Sequence, residues 1–170
     1  MSLAIDAALH HVAGRGDLPA VQRLLAAGAS ATAGLLPAAL AGDTKIVRAL
    51  LEAGADAGVV DVDGLFWMSH CSPAVPLLLA AGAAAGRRTL QLAANSNAVD
   101  VVRMLLDAGV PTDDVSLEVP ARNRWLDVMR LLLFAGANPD TGLRSALEFQ
   151  CHDIAQLLVD MGAVPAVVTD

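Results

Sequence analysis

The chain has 170 residues, 55% of them apolar and only 3% aromatic, so it can bury a sizeable core in which small aliphatic side chains dominate. A formal net charge of −7, with a single lysine, argues against nucleic acid, because neutralising phosphates needs clustered Lys and Arg. The same acidity favours a neutral or basic protein partner, although it also serves solubility.

Asp6, His10 and His11 interrupt the first residues before an apolar signal segment forms, so no secretory leader is expected. The first element reads Leu9 to Ala13, followed by a turn at Gly14-Arg15-Gly16. An aliphatic run then stops at Leu24-Leu25-Ala26-Ala27-Gly28-Ala29. The pattern returns as Leu35 to Ala39, a break at Gly42, and a helix over Lys45–Ala53 with Ile46, Val47, Leu50 and Leu51 on one face. Gly54 ends that helix in a left-handed cap.

Further copies end at Gly82, Gly109, Gly136 and Gly162, so successive glycines lie 26, 28, 27, 27 and 26 residues apart. A fixed period of this size means a solenoid array, in which each helix pair buries its apolar face against its neighbours. The expected fold is an all-α solenoid of helix-turn-helix units with short linkers, forming one domain over residues 1–170. Its repeats are expected near 5–30, 31–57, 58–85, 86–111, 112–138 and 139–165. The first helices of the fourth and fifth copies read Leu90 to Ala94 and Leu117 to Ala121.

The third copy is irregular. Phe66 and Trp67 stand where other copies prefer alanine, which predicts a shifted or splayed helix. Pro73 suits the first turn of its second helix with Ser72 as N-cap, and Pro76 lies near the limit of what that turn tolerates. Residues 64–86 lack Asp, Glu and Lys but contain Ser69, His70, Ser72, Pro73 and Pro76, so they read as a repeat rather than a membrane span.

Cys71 and Cys151 lie three repeats apart at the same offset. Three interhelix spacings of ~8–10 Å each exceed the reach of a disulfide. Unpaired thiols fit a reducing, cytoplasmic setting. His10, His11, His70 and His152 share no helix face with a Cys or carboxylate at metal-ligand spacing. Without a phosphate loop, zinc signature or nucleophile elbow, no enzyme, cofactor or metal is expected. Arg48–Glu52 and Arg103–Asp107 are candidate i,i+4 pairs, and Asp100, Asp127 and Asp153 suit the first turns of second helices. Asp56, Asp61, Asp63, Asp113, Asp114 and Asp140 cluster in the linkers as a prospective acidic edge.

Gly42, Ile46, Val47, Leu50, Leu51, Gly54, Ala55 and Asp56, with Leu90, Leu92, Ala93 and Ala94, make the units resemble ankyrin repeats over nearly the whole chain. The period is shorter than the usual ~33 residues. The residues missing are those that build the family's β-hairpin finger, and the threonine-proline start of its first helix is absent. Gly54 to Leu65 leaves most room for a finger, with a turn at Asp63-Gly64.

The resemblance implies a non-catalytic protein-binding module in which the first helices line a concave groove. The residues after each Ala-Ala end would project into it: Arg15, Leu40, Met68, Ser69, Asn95, Ser96, Arg122, Asn123, Glu148 and Phe149. Met68, Arg122 and Phe149 are the strongest anchors by residue type, whereas Trp67 and Trp125 read as packing residues. Two alternatives remain: an acidic inhibitor or immunity-type protein blocking a basic enzyme or toxin, and a self-associating array using the apolar end around Met161, Val164, Val167 and Val168. A monomer is expected ahead of a homo-oligomer.

Overall fold

The computed structural model describes residues 2–69, 73–112 and 115–164, apart from the side chains of residues 2 and 67–69. The described residues form helices and turns, with no strand among them. The chain divides into two compact units, Met1–Ala85 and Gly86–Asp170, each holding three helix pairs.

In the first unit the first helices are α1 (Ser2–Gly14), α3 (Ala31–Ala41) and α5 (Val62–Ser69). The second helices are α2 (Leu18–Ala26), α4 (Thr44–Glu52) and α6 (Val75–Ala80). Helix α3 packs between α1 and α5, and α4 packs between α2 and α6. In the second unit α7 (Arg87–Asn95), α9 (Glu118–Arg122) and α11 (Asp140–Glu148) alternate with α8 (Val99–Asp107), α10 (Leu126–Phe134) and α12 (His152–Asp160). Helix α9 packs against both α7 and α11.

One backbone motif explains why the glycines are periodic. Gly28 N–H donates to the Leu25 carbonyl and Ala29 N–H to that of Leu24, both at 3.0 Å, with Gly28 at φ 89°. This is a Schellman ending, and it recurs at Gly54, Gly82, Gly109, Gly136 and Gly162. A Cβ at Gly28 or Gly54 would meet nothing within 4 Å, so the positive φ, not a lack of room, selects glycine there.

First helices end the same way with looser residue choice. Gly16 and Gly42 hold φ 78° and 71°, while Asn97, Arg124 and Gln150 take φ 55°, 59° and 55° at the equivalent turn. The core of the first unit is built on fully buried Leu9 and Leu35 of its first helices, and that of the second on Leu90 of α7, Leu117 at the start of α9 and the nearly buried Leu143 of α11. Ile46, Val47 and Leu50, with Val128, Met129 and Leu132, face them from the second helices. Close approach of first helices is permitted by Gly34, whose added Cβ would stand 3.2 Å from Ala13 Cβ and Leu9 Cγ.

The third pair departs from the rest as its aromatic residues foretell. Buried Leu90, Ala93 and Ala94 in α7 lie 19, 16 and 15 residues before Gly109. In α5 the same i, i+3, i+4 pattern is carried by Val62, Leu65 and Phe66, one residue further from Gly82. The extra residue of that repeat is thereby absorbed between its two helices. Helix α6 starts at Val75 with Pro76 in its first turn, so it is shorter than expected and Pro73 precedes it. Ser72 lies outside the described residues.

The short linkers are tied by side chains instead of hairpins. Asp6 Oδ1 accepts from Ser30 N at 2.7 Å, Thr32 Oγ1 from Asp56 N at 3.0 Å, and Thr141 Oγ1 from Leu117 N at 3.0 Å. Gln91 grips Ser116 twice, accepting from its N–H at 2.6 Å and donating to its carbonyl at 3.2 Å. Asp63 and Gly64, expected in a turn, are inside α5, because Asp56 instead caps a 3-10 turn over Ala57–Val59 that leads directly into that helix.

Candidate functional site

In the second unit the ends of the first helices carry the expected side chains. Gly142 at the start of α11 abuts Leu117 at the start of α9, and Cys151 after α11 has its Sγ 3.9 Å from the Arg122 carbonyl. Helices α9 and α11 therefore run parallel, and their C-terminal ends lie side by side. Arg122, Asn123, Glu148 and Phe149 are all exposed at these ends, with Phe149 at 53%. Ala121, one residue before Arg122, is fully buried, so the packing face gives way to the exposed end within a single residue.

Asn95 and Ser96 occupy the corresponding end of α7. Asn95 is half-buried, its Oδ1 accepting from Gln91 Nε2 at 2.9 Å, and Ser96 is exposed. Asn123 donates from Nδ2 to the Val119 carbonyl at 2.9 Å. Both amides thus spend part of their hydrogen-bonding capacity on their own helices. The Arg122 guanidinium makes no ion pair among the described residues.

In the first unit Arg15 is exposed in the turn after α1, with Nη1 3.3 Å from His11 Nε2. Leu40 is half-buried near the end of α3. Met68 and Ser69 belong to the backbone of α5, while their side chains lie outside the described residues. Counted with the one-residue offset of α5, Trp67 and Met68, not Met68 and Ser69, correspond in the repeat to Asn95 and Ser96.

The linker carboxylates are partly committed to backbone. Asp56 Oδ1 accepts from Gly58 N at 2.9 Å, and Asp140 Oδ1 from Val164 N at 2.7 Å. Asp61 is exposed and Asp63 half-buried in α5, whereas Asp113 and Asp114 lie outside the described residues. Asp100, Asp127 and Asp153 do occupy first turns of second helices. Asp153 adds a pair with Arg124 at 2.6 Å. Neither Arg48–Glu52 nor Arg103–Asp107 closes to ion-pair distance, since exposed pairs gain only ~0.5 kcal/mol against the side-chain entropy of holding them.

Cys151 is buried with an unpaired thiol, and Cys71 lies outside the described residues. No group of His, Cys, Asp and Glu among the described residues is arranged to hold a metal ion. No described helix is long and apolar enough to cross a membrane. Outside the expected set, the most exposed aromatic side chain among the described residues is Phe134 on α10, at 80%. Its signal in the sequence is positional: Ala26, Glu52, Ala80, Asp107 and Asp160 stand at the same place in the other repeats.

Stacked helix pairs closed by this recurring turn define an all-α repeat protein of the solenoid class. The crystal structure of the human ASB11 ankyrin repeat domain superposes with a TM-score of 0.72 at 28% identity, covering 92% of this chain and 84% of that one. An ankyrin repeat domain from Acinetobacter baumannii gives 0.70 at 25% identity, covering 92% of this chain and 98% of that one. No protein-family model and no curated protein matches the sequence. The chain is similar to ankyrin repeat domains over 92% of its length, with short linkers and no hairpin fingers among the described residues.

Proposed function

We propose that the chain is a non-catalytic module, acting as one array, that holds a protein partner against the exposed ends of its first helices. The observation that carries this reading is the adjacency of Arg122 and Phe149 at the parallel ends of α9 and α11. An exposed guanidinium with no ion pair among the described residues and a half-exposed aromatic ring stand at neighbouring helix ends, and both residue types are enriched at protein interfaces. Glu148 completes the α11 end, and Asn95, Ser96 and Asn123 supply polar rim contacts. Arg15, Leu40, Met68 and Ser69 are the proposed counterparts in the first unit.

The partner is basic in this reading. Its cations meet the exposed Asp61 and those oxygens of Asp56 and Asp140 that the backbone leaves available, in a chain of net charge −7. The module works as a monomer in the cytoplasm, where a buried free thiol such as Cys151 persists.

The test is affinity capture from native cell extract, comparing wild type with an Arg122→Ala/Phe149→Ala variant. Both side chains are exposed, so melting and helicity are expected to stay nearly unchanged while the retained protein is lost. Retention of the same protein by both would remove the helix-end reading in favour of the acidic edge. A second reading, self-association, draws on exposed Leu147, Val159, Met161 and Val164 in the last repeat. It requires a molar mass that rises with concentration in light scattering.

A further inference from the structure

Helices α8 and α10 enclose a surface groove lined by Val99, Arg103, Asp127, Arg130, Leu131 and Phe134. Phe134 is 80% exposed and takes no part in the packing of α10, whose buried face is Val128, Met129, Leu132 and Leu133. Ala, Glu or Asp stands at this place in the five other repeats, as suits a solvent-facing position. Solubility alone gives no reason for an aromatic ring there.

Arg103 and Arg130 stand at equivalent places in consecutive repeats, six residues before Gly109 and Gly136. Both are exposed, and neither makes an ion pair among the described residues, although Asp127 is in the same lining. Two cations against one anion give the groove a positive balance in a chain of net charge −7. Flanking Val99 and Leu131 supply a half-buried apolar floor.

We propose that this groove docks a short acidic segment of a partner protein, with an apolar side chain seated on Phe134 and a carboxylate held by Arg103 and Arg130. The planar guanidinium forms paired hydrogen bonds to a carboxylate, a geometry that an ammonium cannot match. The ring excludes water from one side of those bonds, which strengthens them. Nucleic acid fits poorly, because two cations amid a strongly acidic surface cannot neutralise a phosphate backbone. The site uses second helices only, so it stands or falls independently of the first-helix ends.

The experiment pans a random peptide library displayed on phage against the full chain. Selected peptides are then titrated by fluorescence anisotropy against wild type, Phe134→Ser, Arg103→Gln/Arg130→Gln and Arg122→Ala/Phe149→Ala. Enriched peptides are expected to place Asp or Glu beside an aliphatic or aromatic residue. Phe134→Ser and the double arginine variant should each weaken them about tenfold or more, with Arg122→Ala/Phe149→Ala matching wild type. All three changes are at exposed side chains, and circular dichroism melts check that the folds are equal. Three outcomes overturn the proposal: no enrichment, enrichment of basic peptides without acidic ones, or acidic peptides indifferent to Phe134→Ser. A concentration-dependent mass abolished by Phe134→Ser would overturn it too, assigning the groove to a second copy of the chain.

Discussion

Gln150 holds φ 55° in a turn where Gly16 and Gly42 meet the same demand without a Cβ. A left-handed conformation costs a non-glycine residue roughly 1–2 kcal/mol, and glycine gives back ~0.5–1 kcal/mol through unfolded-state entropy. Gln150→Gly is therefore expected to stabilise the protein by about 0.5 kcal/mol, seen as a Tm rise of ~1–2 °C. Arg124 is a poorer target, because its pair with Asp153 at 2.6 Å would be lost along with the strain. Gly142 predicts the opposite sign. Alanine there would gain helix propensity, but its Cβ would meet Leu117 Cβ at 2.9 Å and the Leu117 carbonyl oxygen at 3.3 Å. Backbone cannot yield as a flexible side chain does, so Gly142→Ala should cost about 1–3 kcal/mol, read as a lower urea midpoint. Both residues are periodic in the sequence, yet only the coordinates separate the glycine position set by φ from the one set by crowding.

At the scale of the element, the second helices begin in two different ways. Asp17 accepts from Ala20 N at 3.0 Å, and Asp43 accepts from Lys45 N at 3.1 Å and Ile46 N at 3.0 Å. Ala98, Trp125 and Cys151 occupy the same position in the second unit and make no side-chain cap. Asp43→Ala should thus cost ~1 kcal/mol, shifting the urea midpoint without changing the slope, since the surface exposed on unfolding is the same. Helix ends were legible in the sequence because the Schellman turn demands glycine at one fixed place. Linkers were not legible, since the ties that shape them span 24 or 25 residues: Thr32 to the Asp56 backbone, Gln91 to Ser116. The expected turn at Asp63-Gly64 failed because Asp56 caps a 3-10 turn that leads directly into α5, and the register of α5 shifted where a buried Phe66 replaces alanine. The candidate site divides similarly. Arg15, Ser96, Arg122, Asn123, Glu148 and Phe149 are exposed while Leu40 and Asn95 are half-buried, whereas the Phe134 groove arises between helices one repeat apart and shows itself only in three dimensions.

At the scale of the whole molecule, charge and apolar anchors act on different stages of association. A net charge of −7 would attract the basic partner proposed above over about one Debye length, ~8–10 Å at physiological salt. That attraction raises the encounter rate but fades once contact is made at screened, half-committed aspartates such as Asp56 and Asp140. In the proposed complex Phe149, half-exposed at the end of α11, is desolvated on binding and therefore governs dissociation. For the partner isolated by capture, raising ionic strength from ~0.05 to ~0.15 M is expected to slow association severalfold and leave dissociation nearly constant. Phe149→Ala is expected to do the reverse, speeding dissociation about tenfold with association unchanged. Surface plasmon resonance at two salt concentrations separates the two effects. Dissociation that follows salt and ignores Phe149 would move the contact from the helix ends to the acidic linkers.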